Sequence, residues 1–305
     1  MGGLLSVLRR YFQGAPELKS AREIGLMREA GKLVSAALQI CRERCKPGTR
    51  TIEIDQAVEA FFQSHKATPL FKGYAGPKRP FPASTCISIN EQVVHGIPGN
   101  RVIKEGDLVK IDTACKLNGW CADAATTIMV GQVRSERRRL VETAWQILQI
   151  AINEMPRRRW WSEVAGIMQT HALKAGYTVV EQYVGHGIGR IMHESPQVPN
   201  FVSRETRLKQ DFRLEPGLVI AVEPMVNMGR GDTRVLPDDW TVVTIDSMPS
   251  AHVEHTLALT HDGVKIVTAD TEDLKSVLLT PPASQQQSSA TTPAGLPSEK
   301  PAIIP

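Results

Sequence analysis

Two β-rich segments joined by Asn118-Gly119 restrict the fold more than any other part of this 305-residue chain. They cover residues 108–117 and 120–129. Asn-Gly is a preferred centre for a two-residue β-hairpin loop, because both residues accept a positive φ. In such a hairpin Asp112 and Asp123 are diagonal neighbours across the strands, about 7–8 Å apart at the backbone. Since side chains alternate between the two faces, both aspartates are predicted to project from one face.

Two like charges on one buried face need compensation. Asp112 and Asp123 interrupt the otherwise mainly apolar stretches LVKIDTAC and CADAATTIMV. Each carboxylate would raise the pKa of the other if both were buried without a partner. Taken alone, the hairpin leaves two interpretations open: each acid caps or salt-bridges locally, or a cation lies between them.

Two further acids lie in similar surroundings. Glu223 belongs to VIAVEPMV, where Pro224 favours an extended backbone that suits the end of a strand. Glu254 belongs to the β-rich segment AHVEHTLAL. An unpaired buried charge costs several kcal/mol, so four such acids need shared compensation. Two divalent cations would balance the four negative charges.

Three histidines accompany these acids beside glycine-rich turns. His186 lies in YVGHGIGR, whose glycines let backbone approach a site closely, and His193 follows seven residues later. The glycine run is not a dinucleotide-binding loop, because Arg190 stands where its last glycine should be. His95 lies in VVHGIPG, where we predict the end of a strand before a turn.

The remaining periodicity predicts an α+β fold with a largely antiparallel sheet, because helices come in pairs and strands in hairpins without βαβ alternation. Helices are predicted over 20–45, 51–62 (with Thr51 as the N-cap), 135–154 and 162–175. Further strands are predicted over 86–90, 93–97, 218–224, 240–246, 251–259 and 264–268.

Composition limits the class of protein to which the chain can belong, and it also indicates which terminal segments lie outside the folded domain. Lys and Arg number 36 against 32 Asp and Glu, a smaller excess than dedicated nucleic-acid binders carry. The five cysteines are an odd number in a long chain, which predicts free thiols in a reducing compartment. We predict an extension over 1–16, a folded domain over 17–275 and a disordered Pro/Ser/Gln-rich tail over 276–305.

The sequence closely resembles the methionine aminopeptidases, type I branch, of the pita-bread metallopeptidase superfamily. The resemblance runs from about Glu23 to Gly263. Its motifs are SINEQVVHGIPG, GDLVKIDTACKLNGWCADAATT, GHGIGRIMHESPQVPNF, VEPMVNMG and SAHVEHTLALT. It implies a curved, mainly antiparallel sheet with helices on its outer face and two pseudo-symmetric halves. It also implies hydrolysis of the initiator methionine of nascent polypeptides by a water or hydroxide bridging two divalent metals.

The resemblance implies a role for each candidate residue. The metal ligands would be Asp112, Asp123, His186, Glu223 and Glu254. Among these, Asp123 and Glu254 would bridge both metals, and Glu223 would also shuttle the proton. His95 and His193 would contact the substrate just outside the metals.

The methionine pocket is implied to include Tyr74, Phe81, Met192 and Trp240, with Phe71 as a further candidate. The sequence departs from the family pattern here in two ways. The residues PKRP, 77–80, displace the usual aromatic-proline pair, and Met192 stands where an aromatic residue is common.

The resemblance also implies cofactors, partners and location. The two divalent ions would be Co, Mn, Fe or Zn, which an oxygen and nitrogen ligand set suits. The enzyme would act in the cytoplasm as a monomer on N-terminal Met peptides, with a transient ribosome association and no membrane or specific nucleic-acid partner. Two alternatives are a related aminopeptidase that cleaves before proline and a metal-free binding protein built on the same fold.

Overall fold

The computed structural model describes residues 15–269, in which helices and antiparallel strands alternate in groups. The helices are α1 (Ala21–Arg44), α2 (Thr51–Ser64), α3 (Ser135–Glu154) and α4 (Trp161–Lys174). The strands of the first half are β1 (Thr68–Pro69), β2 (Cys86–Ile89), β3 (Leu108–Leu117) and β4 (Trp120–Met129). Those of the second half are β5 (Thr178–Val179), β6 (Gly185–Gly187), β7 (Glu194–Val198), β8 (Val219–Val222), β9 (Met225–Asn227), β10 (Thr233–Val235), β11 (Val242–Thr244), β12 (Ser250–His252), β13 (His255–Thr260) and β14 (Gly263–Ile266). Short 3₁₀ and π turns occupy Met155–Arg157 and Thr206–Gln210.

The predicted hairpin is confirmed in register. Asp112 lies opposite Ala125, and Asp123 lies opposite Ala114. Asn118 and Gly119 have φ values of 51° and 84°, the left-handed pair that a type I′ turn requires.

All described strand pairs are antiparallel, which confirms the predicted sheet type. A four-stranded sheet is formed by β1–β4 around the central strand β3. A five-stranded sheet has the order β14-β13-β8-β6-β7. Smaller sheets pair β12-β9-β5 and β10-β11.

Each half of the chain has a pair of helices that covers its own strands. A buried core joins α1 and α2 to β2–β4, and a second core joins α3 and α4 to β8, β9, β12 and β13. The order of a long helix, a 14-residue helix and a two-residue strand occurs in both halves. This repeated order of elements agrees with the two pseudo-symmetric halves that the family resemblance implies.

The alternation of side chains leaves the second face of the hairpin free for polar groups. Ile111 and Ala124 point into the core under α1 and α2. Their neighbours Asp112 and Asp123 therefore point to the opposite face, where Ala114 packs in a separate apolar cluster.

Two predicted strands differ in the structure. The stretch 251–259 is two strands, because β12 pairs with β9 whereas β13 pairs with β8. Glu254 lies between them and is hydrogen-bonded instead to β4, its N–H donating to the carbonyl of Ala125 at 2.9 Å. The alternation of apolar and polar residues continues across this break, so the sequence predicts a single strand.

The predicted strand 93–97 is wrong. His95 has a φ of 58°, which no strand residue adopts, and the segment forms an isolated bridge to β11 at Gln92. A Cβ on Gly96 would overlap the carbonyl of Ile87, so the backbone runs too close to β2 for any larger residue. The remaining elements match their predictions to within a few residues at the ends, and Thr51 is the first helical residue of α2 rather than its N-cap.

The described residues include no helix that is long and apolar enough to cross a membrane. All five cysteines are free, as predicted, and all five are buried. Of the predicted terminal segments, residues 1–14 and 270–305 lie outside the described part of the chain.

Two glycines of α1 provide a test of how this helix packs. A Cβ on Gly31 would overlap the backbone carbonyl of Val267, whereas a Cβ on Gly25 would meet nothing within 4 Å. We expect Gly25→Ala to raise the free energy of unfolding by about 0.5–1 kcal/mol, the usual gain from removing a helical glycine. Gly31→Ala should instead lower it by about 1–3 kcal/mol, because the added methyl group overpacks the contact. Urea unfolding measures both, and a Gly31→Ala variant as stable as Gly25→Ala would contradict this packing.

Candidate metal centre and substrate cavity

One cavity is lined by every side chain that the sequence predicted for the site. These are Asp112, Asp123, His186, Glu223, Glu254, His95, His193, Tyr74, Phe81, Met192, Trp240 and Phe71. They come from both halves of the chain and from six stretches of irregular backbone as well as from strands. The predicted metal ligands and the predicted substrate contacts therefore share one space.

Backbone hydrogen bonds between the halves hold the acids in place. The Thr256 hydroxyl donates to the carbonyl of Asp123 at 2.8 Å and accepts the Asp123 N–H at 3.1 Å. The paired bonds between Glu254 and Ala125 join the same two segments one step further along. Glu223 follows β8 directly, and its carbonyl accepts a bond from the Asn200 side chain at 3.0 Å. Each carboxylate thus belongs to a backbone position that is fixed independently of the carboxylate itself.

Asp123, His186 and Glu254 form the tightest cluster. One potential ligand atom from each of the three lies within 4.8 Å of the other two. The Nε2 atom of His186 is 3.8 Å from Oδ2 of Asp123 and 3.7 Å from Oε1 of Glu223. These separations are too long for direct hydrogen bonds and leave room for an ion between the groups.

The tautomer of His186 follows from its other contact. Its Nδ1 lies 3.0 Å from the carbonyl of Gly187, which accepts but cannot donate, so Nδ1 carries the proton. Burial lowers the pKa of His186 to about 4, so the ring is neutral at pH 7. The lone pair on Nε2 therefore faces the acids, which is the arrangement of a metal-binding histidine held by a backbone carbonyl.

Without a cation, ionisation of all four carboxylates is electrostatically unfavourable. Burial raises the pKa of Asp123 to about 7. Burial and the charges of neighbouring acids raise the pKa of Asp112, Glu223 and Glu254 well above the ordinary range. Since burial, and for three of the acids also neighbouring negative charge, disfavours ionisation, positive charge placed among them would be strongly stabilised.

The donor atoms fit divalent metal ions. Buried oxygens of Asp112, Asp123 and Glu254 have no hydrogen-bond partner among the described residues. Buried carboxylate oxygens normally have partners, and these three come from different segments of the chain yet line the same cavity. Four carboxylates and one neutral imidazole make an oxygen-rich set that suits Mn, Fe, Co or Zn.

His193 and His95 stand beside the cluster. The rings of His193 and His186 are 4.2 Å apart between centroids, and Nδ1 of His193 lies 2.8 Å from the Tyr74 hydroxyl. His95 packs edge-to-face on Tyr183 at 5.6 Å. Burial lowers the pKa of His95 to about 4, and burial with the neighbouring histidines lowers the pKa of His193 further below its ordinary value. Both rings are thus neutral hydrogen-bonding groups at pH 7.

Beyond the histidines, the cavity becomes an apolar pocket. Phe71, Phe81, Met192 and Trp240 are buried together, with Tyr74 packed against them. Phe81 contacts the edges of both Phe71 and Trp240, with centroid separations of 6.5 and 5.1 Å. A side chain bound here would be surrounded by aromatic edges and a thioether.

The sequence-based predictions missed Cys86 and Tyr183, which line the cavity, and His252, which lies beside it. His252 places Nε2 3.7 Å from Oε2 of Glu223, and Cys86 lies opposite Asp112 in the sheet. Tyr183 is the partner of His95 described above. A signal existed for His252 and Tyr183, since one is two residues before Glu254 and the other three before His186. Cys86 could be found only from the pairing of β2 with β3.

Comparisons with known proteins agree with this geometry. The model of metallopeptidase family M24 matches residues 25–261. Methionine aminopeptidase 1 of Bacillus subtilis is 42% identical over 250 residues, which cover 82% of this chain and 98% of that protein. The crystal structure of methionine aminopeptidase from Thermotoga maritima superposes with a TM-score of 0.77 at 35% identity, covering 84% of this chain and all of that one.

Prolidase from Pyrococcus furiosus shares the fold more distantly. Its TM-score is 0.62 at 22% identity, with 83% of this chain and 65% of that chain covered. The mixed helices and antiparallel sheets are those of the pita-bread fold predicted from the sequence. This chain therefore belongs to metallopeptidase family M24, a family of hydrolytic enzymes that depend on metal ions.

Proposed function

We propose that this chain hydrolyses the N-terminal methionine from newly made polypeptides, with two divalent metal ions at the cavity. The observation that carries the proposal is the convergence of four carboxylates and the Nε2 of His186 beside a buried aromatic pocket. The carboxylates and the imidazole form the end of the cavity where hydrolysis would take place. The pocket supplies a place for one flexible apolar side chain, and a thioether packs well on aromatic edges.

Each metal ligand has a proposed place in the centre. Asp123 and Glu254 would bridge both ions, Asp112 would complete one of them, and His186 with Glu223 would complete the other. Two ions held in this way would lower the pKa of a shared water and polarise the carbonyl of the scissile bond.

The protein's own groups would move the protons and hold the substrate. Glu223 would accept a proton from the attacking water and deliver it to the leaving amino group. Burial raises the pKa of the Glu223 carboxyl well above its ordinary value, which supports a role for this group in proton transfer.

His193 would stabilise the charge that develops on the substrate oxygen. If the Tyr74 hydroxyl donates to Nδ1 of His193, the ring proton is on Nε2, which becomes a hydrogen-bond donor. His95 would hold the scissile amide from the other side of the cavity. Two neutral donors already held in place need no reorganisation during the reaction.

The setting of the reaction follows from the proposed substrate. Nascent chains place the enzyme in the cytoplasm, with transient contact to the ribosome. Action as a monomer and selection of chains with a small second residue are further predictions of the same proposal.

A peptide panel tests the proposed function directly. We expect Met-Ala-Ser to be cleaved to Met and Ala-Ser, and Xaa-Pro peptides to be cleaved slowly or not at all. A filled apolar pocket discriminates related side chains by about 10–200-fold, so Leu-Ala-Ser should be a much poorer substrate than Met-Ala-Ser. The measurement is kcat/KM for each peptide with added Mn, Co, Fe or Zn. A preference for Xaa-Pro would contradict methionine removal and favour the prolidase-like alternative.

Removing metal tests the centre with a readout that does not depend on turnover. Protein dialysed against a chelator should lose peptide hydrolysis and show a lower Tm, because four carboxylates then face one another without a cation. Titrating metal back should restore both with two ions bound per chain. Calorimetry counts the ions, and unchanged turnover after complete metal removal would defeat the proposed mechanism.

Two substitutions separate metal binding from substrate binding. Asp123→Asn should weaken metal binding by more than the roughly 10–100-fold typical of residues that only support a ligand. His95→Ala should leave metal content unchanged and lower kcat/KM by about 100-fold, since it removes one polar contact to the reacting amide. His65→Ala, at the exposed end of α2, is the matched histidine control and should change neither quantity. Loss of metal from His95→Ala would show that His95 belongs to the ligand set.

A further inference from the structure

Residues 76–80 lie directly against Trp240, the residue that closes one side of the apolar pocket. The indole Nε1 of Trp240 donates to the carbonyl of Arg79 at 3.2 Å. A Cβ on Gly76 would overlap the indole carbon Cζ2 and crowd the same carbonyl, so only glycine allows the backbone to lie this close. The two segments are about 160 positions apart in sequence, and this contact is made by main-chain atoms on one side.

Two polar contacts join the same segments at the surface. The Lys78 ammonium is 2.8 Å from Oδ1 of Asp239, and the Arg79 guanidinium donates to the carbonyl of Asp238 at 3.1 Å. Both contacts attach residues 76–80 to the turn that immediately precedes Trp240. The segment therefore holds the indole ring and the backbone from which it projects.

The turn that carries Trp240 is itself rigid. Oδ1 of Asp238 accepts the N–H groups of Trp240 and Thr241 at 3.0 and 2.8 Å, and Oδ2 accepts the Thr241 hydroxyl. Asp239 has a φ of 66°, a conformation that Asp and Asn tolerate better than most residues. Because the turn is rigid, the contacts at its surface also fix the position of the Trp240 ring.

The position of the indole matters for both the pocket and the reacting groups. Trp240 is 4% exposed and contacts Phe81 on the pocket side. Its ring also meets the ring of His95 edge-on at 6.2 Å. A displacement of the indole would change the width of the pocket and the support of a histidine proposed to hold the substrate.

We propose that residues 76–80 act as a clamp that fixes Trp240 and thereby sets the selection of the N-terminal side chain. This inference rests on the proposed function, which it deepens by naming the element that determines specificity. With the clamp closed, the wall stays close to the substrate and admits an unbranched side chain such as methionine. With the clamp loosened, the wall can retreat and branched side chains are accepted more readily.

A double-mutant cycle on the surface pair tests the clamp. Lys78→Met and Asp239→Asn remove the charges while keeping a side chain that suits each backbone position. We expect each to lower the ratio of kcat/KM for Met-Ala-Ser to that for Leu-Ala-Ser by about twofold to fivefold, the range of an exposed ion pair. The double variant should resemble either single variant, because both remove the same interaction.

Matched controls separate the clamp from a general effect of surface charge. Lys32→Met and Glu29→Gln break an ion pair of the same kind at 2.7 Å on the exposed side of α1. They should leave the Met-to-Leu ratio unchanged. Metal content measured for all variants should equal that of the wild type.

A second measurement follows the indole without any substrate. Replacing Pro77 and Pro80 together by glycine loosens the backbone that presents the Arg79 carbonyl. Hydrogen exchange of the Trp240 indole N–H, measured by NMR and assigned with Trp240→Phe, should accelerate about tenfold or more in this variant. The same variant should show a lower Met-to-Leu ratio.

The kinetic cycle and the exchange measurement together distinguish failure of the clamp from failure of the proposed function. A wild-type enzyme that cleaves no Met peptide would refute the proposed function, and the exchange measurement would still decide whether the segment holds Trp240. Unchanged indole exchange in the proline variant would overturn the clamp. A double-mutant cycle in which all variants lose turnover of the Met and Leu peptides equally would also overturn the clamp, because the effect would then lie outside the pocket.

Discussion

Repulsion among four carboxylates in one buried cavity is the constraint on which the rest of this structure depends. Asp112, Asp123, Glu223 and Glu254 lie in strands of two different sheets or directly beside such strands, yet they line the same space. Burial and mutual charge hold their pKa values high, so the arrangement is costly in the protein alone. Metal ions remove that cost, and metal dependence is general in family M24. The fold therefore has to hold the acids together against their own repulsion.

Hydrogen bonds to main-chain atoms provide that resistance. The contacts of Thr256 with Asp123 and of Glu254 with Ala125 join the two halves at the positions that carry the acids. The break between β12 and β13 serves the same end, because it frees the backbone of Glu254 from its own sheet to bond with β4. What looks like an irregular strand is the feature that brings the fourth carboxylate to the centre.

In the proposed function, chemistry and selectivity occupy different parts of the cavity and depend on different kinds of interaction. The polar end relies on charge, on fixed tautomers and on the neutral state of buried histidines. The apolar end relies on the close packing of Phe81 and Trp240, supported from behind by residues 76–80. Because the support is built from surface residues, the proposed clamp would let selectivity change without disturbing the proposed metal ligands.

The sequence alone determined the elements whose signals are local. The Asn118-Gly119 turn set the hairpin register and placed Asp112 and Asp123 on one face, and a β-rich run identified the strand that ends before Glu223. It could not determine the contacts that depend on distant backbone: the left-handed His95, the division of 251–259, the pairing that brings Cys86 to Asp112, or the seat of residues 76–80 on Trp240. Turn and strand preferences act over a few neighbouring residues and leave a pattern in the chain. Contacts between segments far apart in sequence arise only when the sheets pack, so tertiary structure alone decided them.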